Sequence, residues 1–317
     1  MKSKKLLFAV ALTTMLVASS CDKPQEKKAY GQYAYEQLNV LQDSYALRQA
    51  GTNTEKMAAE YVYGELKEFG YAPEYQKFEY SEKTSQNVIA KLNNEVDGDK
   101  TLVIGAHYDS VSAGHGVDDN GSGTVAMLEA AKQVVGRKDL PYDVVFVAFG
   151  SEEVGLKGSK AYVDSLTEAE LGNIEVMVNL DTIAAGDYTY VYGGADEKSQ
   201  SILKNLLAWS DEKELGLRTQ QGLNEEYPAG TTGDWSDHAP FKNKGVPVLY
   251  CEATNWEIGP MDGSTQVASD LVEEGYEIMH TPFDNLDFIE EKFPGRVEAH
   301  LSAYVETLVH IMETASL

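Results

Sequence analysis

The chain has 317 residues, of which 43% are hydrophobic and 24% are charged, a composition typical of globular proteins. Its 26 basic residues (Lys and Arg) and 51 acidic residues (Asp and Glu) give a formal net charge of −25. This acidity argues against nucleic acid as a partner, because no basic surface neutralises phosphates, and it mildly favours cationic groups such as a free α-amino group. The simpler interpretation of the total charge is a soluble acidic surface.

The N-terminal residues are predicted to be an export signal. Three lysines precede a 12-residue apolar stretch from Leu6 to Val17, which is too short to span a bilayer comfortably. Small residues then lead to Cys21, which predicts a lipoprotein signal peptide over residues 1–20, a lipid on Cys21 and a polar tether over residues 21–27. A secretory signal with an incidental cysteine is the alternative. The protein is therefore expected in the cell envelope, held at the membrane by the lipid alone.

Residues 28–317 contain no repeat, low-complexity block or linker, so they are expected to form a single domain. Apolar residues spaced three and four apart predict helices over Asn53–Phe69, Ser122–Val135 and Glu298–Met312. Between them lie short apolar runs, typical of strands buried on both faces, at Thr101–Ala106, Asp143–Phe149, Glu175–Leu180 and Val246–Tyr250. The alternation predicts an α/β fold, a three-layer α/β/α sandwich around a largely parallel mixed central sheet.

Residues suited to metal binding and acid–base chemistry follow three of these runs. His107 comes directly after the first run, and Asp181 comes directly after the third. Glu152 and Glu153 follow the second run after two residues, and another acidic group, at positions 118–120, lies in the Gly-rich loop after the first. Ligands of open α/β sheets bind outside the carboxyl ends of the strands, so these side chains are expected to converge at one edge.

Histidine together with carboxylates favours zinc over calcium, which prefers six to eight oxygen ligands. Because Glu152 and Glu153 are adjacent, they point in different directions. One can bind metal while the other accepts a proton from water as general base. The sequence has no His-Glu-x-x-His helix and no Gly-x-Ser-x-Gly elbow, and Ser236, Asp237 and His238 are too close in sequence to form a serine-protease relay. The pattern therefore indicates a zinc-dependent hydrolytic site.

Six motifs in order resemble the M28 family of zinc aminopeptidases. They are Gly105–Ser110, Asp119–Gly123, Ser151–Gly155, Asn179–Asp181, Ser236–Phe241 and His280–Asp284. Any one of them is a weak signal, but all six in order make a chance match improbable. The resemblance extends from about Arg48 to the C-terminus. It implies the zinc-exopeptidase type of α/β/α fold and an aminopeptidase that hydrolyses the first peptide bond of peptides with a free N-terminus.

Carried over residue by residue, the resemblance implies two zinc ions per chain. Asp119 bridges both ions. His107 and Asp181 complete one site, and Glu153 and His280 complete the other. Reaction would proceed through a hydroxide that bridges the metals.

Further roles follow from the same resemblance. Glu152 is the general base, and Asp109 supports the imidazole of His107 from behind. The peptide bond between Asp119 and Asn120 is expected to be cis. Asp284 is expected to fix the loop that carries His280 rather than to touch a metal.

Two other functions are compatible with the same fold. A glutaminyl cyclase shares most of these ligands but uses one zinc ion and cyclises an N-terminal glutamine. A binding protein without catalysis is the second alternative, but such proteins lose ligands or the base, and this sequence retains all of them. Trp235, Trp256 and Met261 lie in a loop-rich region that is expected to build part of the substrate pocket.

Overall fold

The structure is a computed structural model, which describes residues 29–95, 100–269 and 272–314. The signal peptide, the tether and Cys21 lie outside these ranges, so lipidation of Cys21 stays a prediction. Within the described ranges, no helix combines the length and the apolar character needed to cross a membrane.

A seven-stranded mixed sheet forms the middle layer of the described structure. Its strands are β1 (Glu74–Tyr80), β2 (Lys83–Leu92), β3 (Thr101–His107), β4 (Asp143–Phe149), β5 (Ile174–Leu180), β6 (Tyr188–Gly193) and β7 (Val248–Thr254). Their order is β1-β2-β4-β3-β5-β7-β6. The four central strands β4, β3, β5 and β7 are parallel, whereas β1, β2 and β6 pair antiparallel at the two sides. A separate pair, β8 (Val267–Ser269) and β9 (Val272–Tyr276), is antiparallel.

Helices cover both faces of the sheet. They are α1 (Gln32–Tyr45), α2 (Asn53–Phe69), α3 (Gly123–Val134), α4 (Lys157–Ser165), α5 (Glu168–Asn173), α6 (Glu197–Lys213), α7 (His238–Lys242), α8 (Leu286–Lys292) and α9 (Arg296–Glu313). The larger core joins the sheet to α1, α2, α3, α6 and α9, and the smaller core joins it to α4, α5 and α7. The predicted three-layer sandwich is therefore confirmed.

Local sequence explains where α2 begins and ends. The Thr52 side chain accepts a hydrogen bond from the Glu55 amide at the N-terminus. At the other end Gly70 adopts a φ of 108° and its amide bonds the last carbonyls of the helix. Both signals are short-range, and the predicted bounds of this helix agree with the structure.

Two strands extend beyond their predicted ends, and both extensions matter for the site. β3 includes His107, and β7 continues past Tyr250 to Thr254, so it also contains Glu252. An apolar run ends at its first polar residue, whereas a strand continues as long as its backbone finds a partner. For β7 the antiparallel neighbour β6 supplies that partner, since Tyr188 pairs with Thr254. For β3 the parallel neighbour β4 does so, since His107 pairs with Phe149.

Leu128 tests the larger core, because this α3 side chain is fully buried between the sheet and its neighbouring helices. We expect Leu128→Ala to lower the free energy of unfolding by about 2–5 kcal/mol, the range for a buried leucine truncated in a packed core. The same substitution at Leu223, which is 53% exposed, should change it by less than about 0.5 kcal/mol. Urea unfolding of both variants checks this, and equal effects would contradict the packing described.

Candidate metal centre

Three neighbouring parallel strands bring predicted site residues to one edge of the sheet. His107 ends β3, Glu152 and Glu153 follow β4, and Asp181 follows β5. All four side chains are at most 10% exposed. The convergence expected from the strand ends is therefore present in the structure.

Asp119 lies between two imidazole rings. Its Oδ1 is 3.2 Å from Nε2 of His107, and its Oδ2 is 2.9 Å from Nε2 of His280. Asp181 Oδ1 lies 3.2 Å from the same nitrogen of His107. Glu153 Oε2 lies 3.2 Å from the same nitrogen of His280. Two groups of donors are thus assembled, one around each imidazole, with Asp119 shared between them.

The spacing and chemistry of these donors fit zinc. Ligand atoms on a tetrahedral zinc with bonds of about 2.0–2.1 Å lie about 3.3 Å apart, close to the contacts above. One ligand atom from each of His107, Asp119 and Glu153 lies within 4.8 Å of the others. Glu153 Oε1 is buried without a hydrogen-bond partner, an arrangement that a bound cation resolves. The residues therefore fit a zinc centre, while the number of ions stays a prediction.

Carboxylates and imidazoles in this cluster shift one another's pKa. Burial raises the pKa of Glu152 well above its usual range. Burial, with the charge of Asp119 adding to it, raises the pKa of Glu153 to about 7. Hydrogen bonds to Asp119 and Glu153 raise the pKa of His280 to about 11. Burial lowers the pKa of His107, but Asp181 and other carboxylates outweigh this and hold it well above 6.5. The cluster strongly favours positive charge at its centre.

Asp109 supports the site in a way that the sequence did not indicate. Its carboxylate accepts hydrogen bonds from the backbone amides of Glu152 at 2.9 Å and Glu153 at 3.2 Å. Its Oδ1 lies 3.5 Å from Nδ1 of His107, and its backbone carbonyl is 3.2 Å from the same nitrogen. Asp109 therefore fixes the loop of the two glutamates as well as standing behind His107.

Asp284 joins two distant segments. It lies four residues after His280, but its carboxylate accepts hydrogen bonds from the backbone amides of Asp118 at 2.6 Å and Asp119 at 3.2 Å. It was expected to fix its own loop; the structure places its carboxylate on the loop that carries Asp119. The peptide bond between Asp119 and Asn120 is cis, as expected.

Asp118 does not face the imidazoles. Its Oδ1 accepts from the backbone amides of Ala184 and Ala185 at 2.8 and 2.9 Å, and its Oδ2 accepts from Gln266 Nε2 at 2.6 Å. A buried acid with three donors is a structural anchor, which agrees with the choice of Asp119 for the bridging position. The two adjacent aspartates therefore have different tasks.

Hydroxyl groups complete the surroundings of two site residues. Ser236 donates to Asp181 Oδ2 at 2.6 Å and accepts from Asn179 at 2.7 Å. Ser151, just before Glu152, has a φ of 54° and donates at 2.7 Å to the buried Glu55 of α2. Neither contact was anticipated from the sequence, since serine is common in loops and no spacing links it to its partner.

Four histidines lie outside the predicted ligand set, and one of them, His310, stacks on the ring of Trp209. His238 is buried against the ring of Tyr250 and bonds the carbonyl of Gly233, and burial lowers its pKa to about 4. His115 is exposed on its loop. His300 contacts the carbonyl of Ala184 through its Nδ1. The contacts of His238 are therefore structural.

A cavity of about 340 Å³ opens over the cluster, and Glu152 lines it together with the candidate ligands. Glu152 Oε2 is 4.0 Å from Nε2 of His107. Trp235 also lines the cavity, as predicted, but Trp256 and Met261 do not. Trp256 is instead buried behind the wall, where its indole N–H points to Tyr192 and Glu252.

The chain is similar to known proteins over most of its length. The model of Peptidase family M28 matches residues 87–305. The alkaline phosphatase isozyme conversion protein of Escherichia coli strain K12 is 28% identical over 303 residues, which cover 84% of this chain and 86% of that protein. Aminopeptidase YwaD of Bacillus subtilis is 33% identical over 218 residues, which cover 67% of this chain and 42% of that protein. This chain thus matches less than half the length of YwaD.

Two solved structures share the fold. BSAP, a zinc aminopeptidase from Bacillus subtilis, has a TM-score of 0.69 at 19% identity, over 89% of this chain and 95% of that chain. The glutaminyl cyclase of Porphyromonas gingivalis has a TM-score of 0.63 at 22% identity, over 89% of this chain and 99% of that chain. Identities this low show the fold alone. Since the family match covers well over half of the residues and includes all six motifs, the chain belongs to peptidase family M28.

Proposed function

We propose that this protein is a two-zinc aminopeptidase that removes the first residue from peptides with a free N-terminus. The observation that carries the proposal is the position of Asp119, whose two carboxylate oxygens face two different imidazoles. A carboxylate shared in this way suits a pair of metal ions, and Asp181 and Glu153 supply one further donor on each side. Support also comes from the family match and from the aminopeptidase relatives.

The proposed ligands divide between two sites. His107, Asp181 and Asp119 would hold one zinc ion, and Glu153, His280 and Asp119 would hold the other. Zinc bound there acts as a Lewis acid, which makes an attacking water more acidic and a substrate carbonyl more electrophilic.

Glu152 is proposed as the general base. It lines the cavity beside the candidate ligands, and Asp109 fixes its backbone. A glutamate accepts a proton efficiently when its pKa lies close to the working pH, and burial moves the pKa of Glu152 upward in that direction. The carboxyl group then gives the proton to the departing amine, which needs it to leave, and the base is thereby ready for the next turnover.

The cavity also explains why the reaction is expected at a chain end. Six acidic side chains line it, which is more negative charge than the two proposed zinc ions would offset: Asp119, Glu152, Glu153, Asp181, Glu252 and Asp262. A protonated α-amino group is stabilised among these carboxylates, whereas an acetylated end carries no charge and gains nothing from them. The free N-terminus is therefore the proposed recognition feature.

Glutaminyl cyclisation is the second candidate, favoured by one observation. In the structural comparison, this chain matches 99% of the glutaminyl cyclase of Porphyromonas gingivalis. This reaction releases ammonia from an N-terminal glutamine and cleaves no peptide bond, so its products differ in mass from those of a peptidase.

Mass spectrometry of a peptide mixture separates these functions. Residues 22–317, purified with zinc, are incubated with peptides that are free or acetylated at the N-terminus. We expect loss of one residue from free peptides only. Loss of ammonia from glutamine peptides without cleavage would establish the cyclase, and unchanged peptides in the presence of bound zinc would contradict both enzymes.

Glu152→Gln tests the proposed base. The amide has the same shape but cannot accept a proton, so we expect kcat to fall on the order of a hundredfold or more, the scale of lost general-base catalysis. Zinc content, measured by elemental analysis, should not change. Glu168→Gln makes the same change of charge at an exposed site on α5 and should leave kcat intact. Near-normal activity of Glu152→Gln would rule out this residue as the base.

Asp284→Asn tests the support of the bridging residue. The amide cannot accept from both backbone N–H groups of Asp118 and Asp119, so the loop should lose its position. We expect zinc affinity, measured by chelator competition, to fall about 10–100-fold, the usual effect of removing a partner behind a ligand. Asp287→Asn, in the same segment but exposed, is the matched control. Equal zinc affinity in both variants would show that Asp284 does not position Asp119.

A further inference from the structure

The fourth central strand, β7, also brings a carboxylate close to the edge of the sheet where the metal centre lies. Glu252 lies near the end of β7, the strand beside β5. The amide of Asp181 donates to the carbonyl of Cys251 at 3.0 Å, so the residue before Glu252 pairs directly with a candidate zinc ligand. Glu252 is therefore a close neighbour of the metal centre without belonging to it.

Neutral groups hold the carboxylate of Glu252. Tyr192 donates its hydroxyl to Oε1 at 2.6 Å, and Tyr250 donates to Oε2 at 3.1 Å. Trp256 donates its indole N–H to Oε1 at 3.3 Å. Across the described residues, no lysine or arginine forms an ion pair with Glu252, which is 5% exposed. Its negative charge is thus oriented by three hydrogen bonds but not balanced by a cation.

Burial raises the pKa of Glu252 to about 7, although the three hydrogen bonds act in the opposite direction. The charge of Asp181 adds to the increase. A nearby cation stabilises a buried carboxylate more than an exposed one, because little water screens the attraction between the two charges.

Glu252 contributes to the wall of the cavity over the metal centre, and so does Gly263. Gly263 has a φ of 90°, and a Cβ added there would lie 2.9 Å from Glu252 Oε1 and 3.2 Å from Trp256 Cζ2. The glycine therefore packs close to the carboxylate, and a side chain in its place would crowd Oε1 and the ring of Trp256.

Aromatic rings form the approach to this carboxylate. Tyr227, Trp235 and Tyr250 line the same cavity, and the first two meet edge to face with their ring centroids 5.5 Å apart. Asp262 adds a second carboxylate to the wall. Within the described ranges, neither lysine nor arginine lines this cavity. Aromatic faces and carboxylates both attract cations, and guanidinium groups stack well on aromatic rings.

We propose that Glu252 is the specificity-determining residue of the pocket that receives the side chain of the first substrate residue, and that this pocket selects lysine or arginine. The proposal rests on the aminopeptidase function proposed above. An aliphatic side chain would leave the carboxylate buried without a counter-charge, which is costly. An acidic side chain would be repelled by both Glu252 and Asp262.

Pairs of substrates that differ in charge but hardly in shape test this inference. We would measure kcat/KM for dipeptides that begin with arginine or citrulline, and with lysine or norleucine. A charged hydrogen bond in a shielded site predicts that the cationic member of each pair is preferred at least about tenfold. Equal rates within the pairs, or preference for the neutral members, would overturn the inference and leave the aminopeptidase function standing. Release of no residue from any of the four would overturn both.

Glu252→Gln identifies the residue responsible. The amide retains the size of the side chain and can still accept hydrogen bonds, so we expect the cationic preference to fall to within about threefold. The change should come from a lower kcat/KM for arginine and lysine substrates, whereas kcat/KM for the norleucine substrate should not fall, because the unbalanced charge is gone. Glu257→Gln removes the same charge at an exposed position five residues away and should leave the preference unchanged. A Glu252→Gln enzyme that still cleaves norleucine peptides and still prefers arginine over citrulline would disprove the assignment. Asp262→Asn provides an independent variant should Glu252→Gln fold poorly, and it should weaken the preference in the same direction.

Discussion

Repulsion between carboxylates that share one buried edge of the sheet is the constraint on which the rest of the site depends. Asp109, Asp119, Glu152, Glu153 and Asp181 are all at most about a tenth exposed there. Charges buried side by side are stable only when donors or cations compensate them. The imidazoles supply part of this compensation, and the fit of the donors to zinc indicates where the remainder comes from. Loops, ligands and cavity are all arranged around this cluster.

Backbone amides compensate much of this negative charge. This explains why the site contains more acidic residues than the proposed zinc ions would need as ligands. Asp109 binds the amides of the two glutamates after β4, and Asp284 binds the amides of Asp118 and Asp119. Each contact neutralises part of one charge and fixes the loop that carries another. Buried carboxylates therefore act here as connectors between strand ends, and the ligands derive their positions from residues that do not touch the proposed metals.

The same edge of the sheet carries both the candidate metal centre and the proposed pocket for the substrate side chain. β5 delivers Asp181 to the centre, and its neighbour β7 delivers Glu252 to the wall of the same cavity. Adjacent parallel strands bring these two carboxylates to the same edge, Asp181 as a proposed metal ligand and Glu252 as the proposed partner of the substrate side chain. The fold shared with zinc aminopeptidases and a glutaminyl cyclase provides the edge, and Glu252 near the end of β7 is the residue proposed to select the substrate side chain. Fold and family thus define the reaction class, and the pocket residues define which substrates enter.

The sequence by itself determined the elements whose signals are local: α2, the central apolar strands, and the His, Glu and Asp residues that follow them. It did not reveal β1, β2 and β6, because β1 and β2 are mostly polar and half of β6 is tyrosine, so none of them forms the apolar Val- and Ile-rich run that marked the central strands. It also missed the contacts of Asp109 and Asp284, whose partners are backbone N–H groups. Every residue type except proline carries such a group, so the sequence holds no mark of the partner. Glu252 was missed for a related reason. Only the tertiary structure shows that Glu252 lines the cavity together with Gly263 and the aromatic rings, because the cavity is formed by segments distant in sequence.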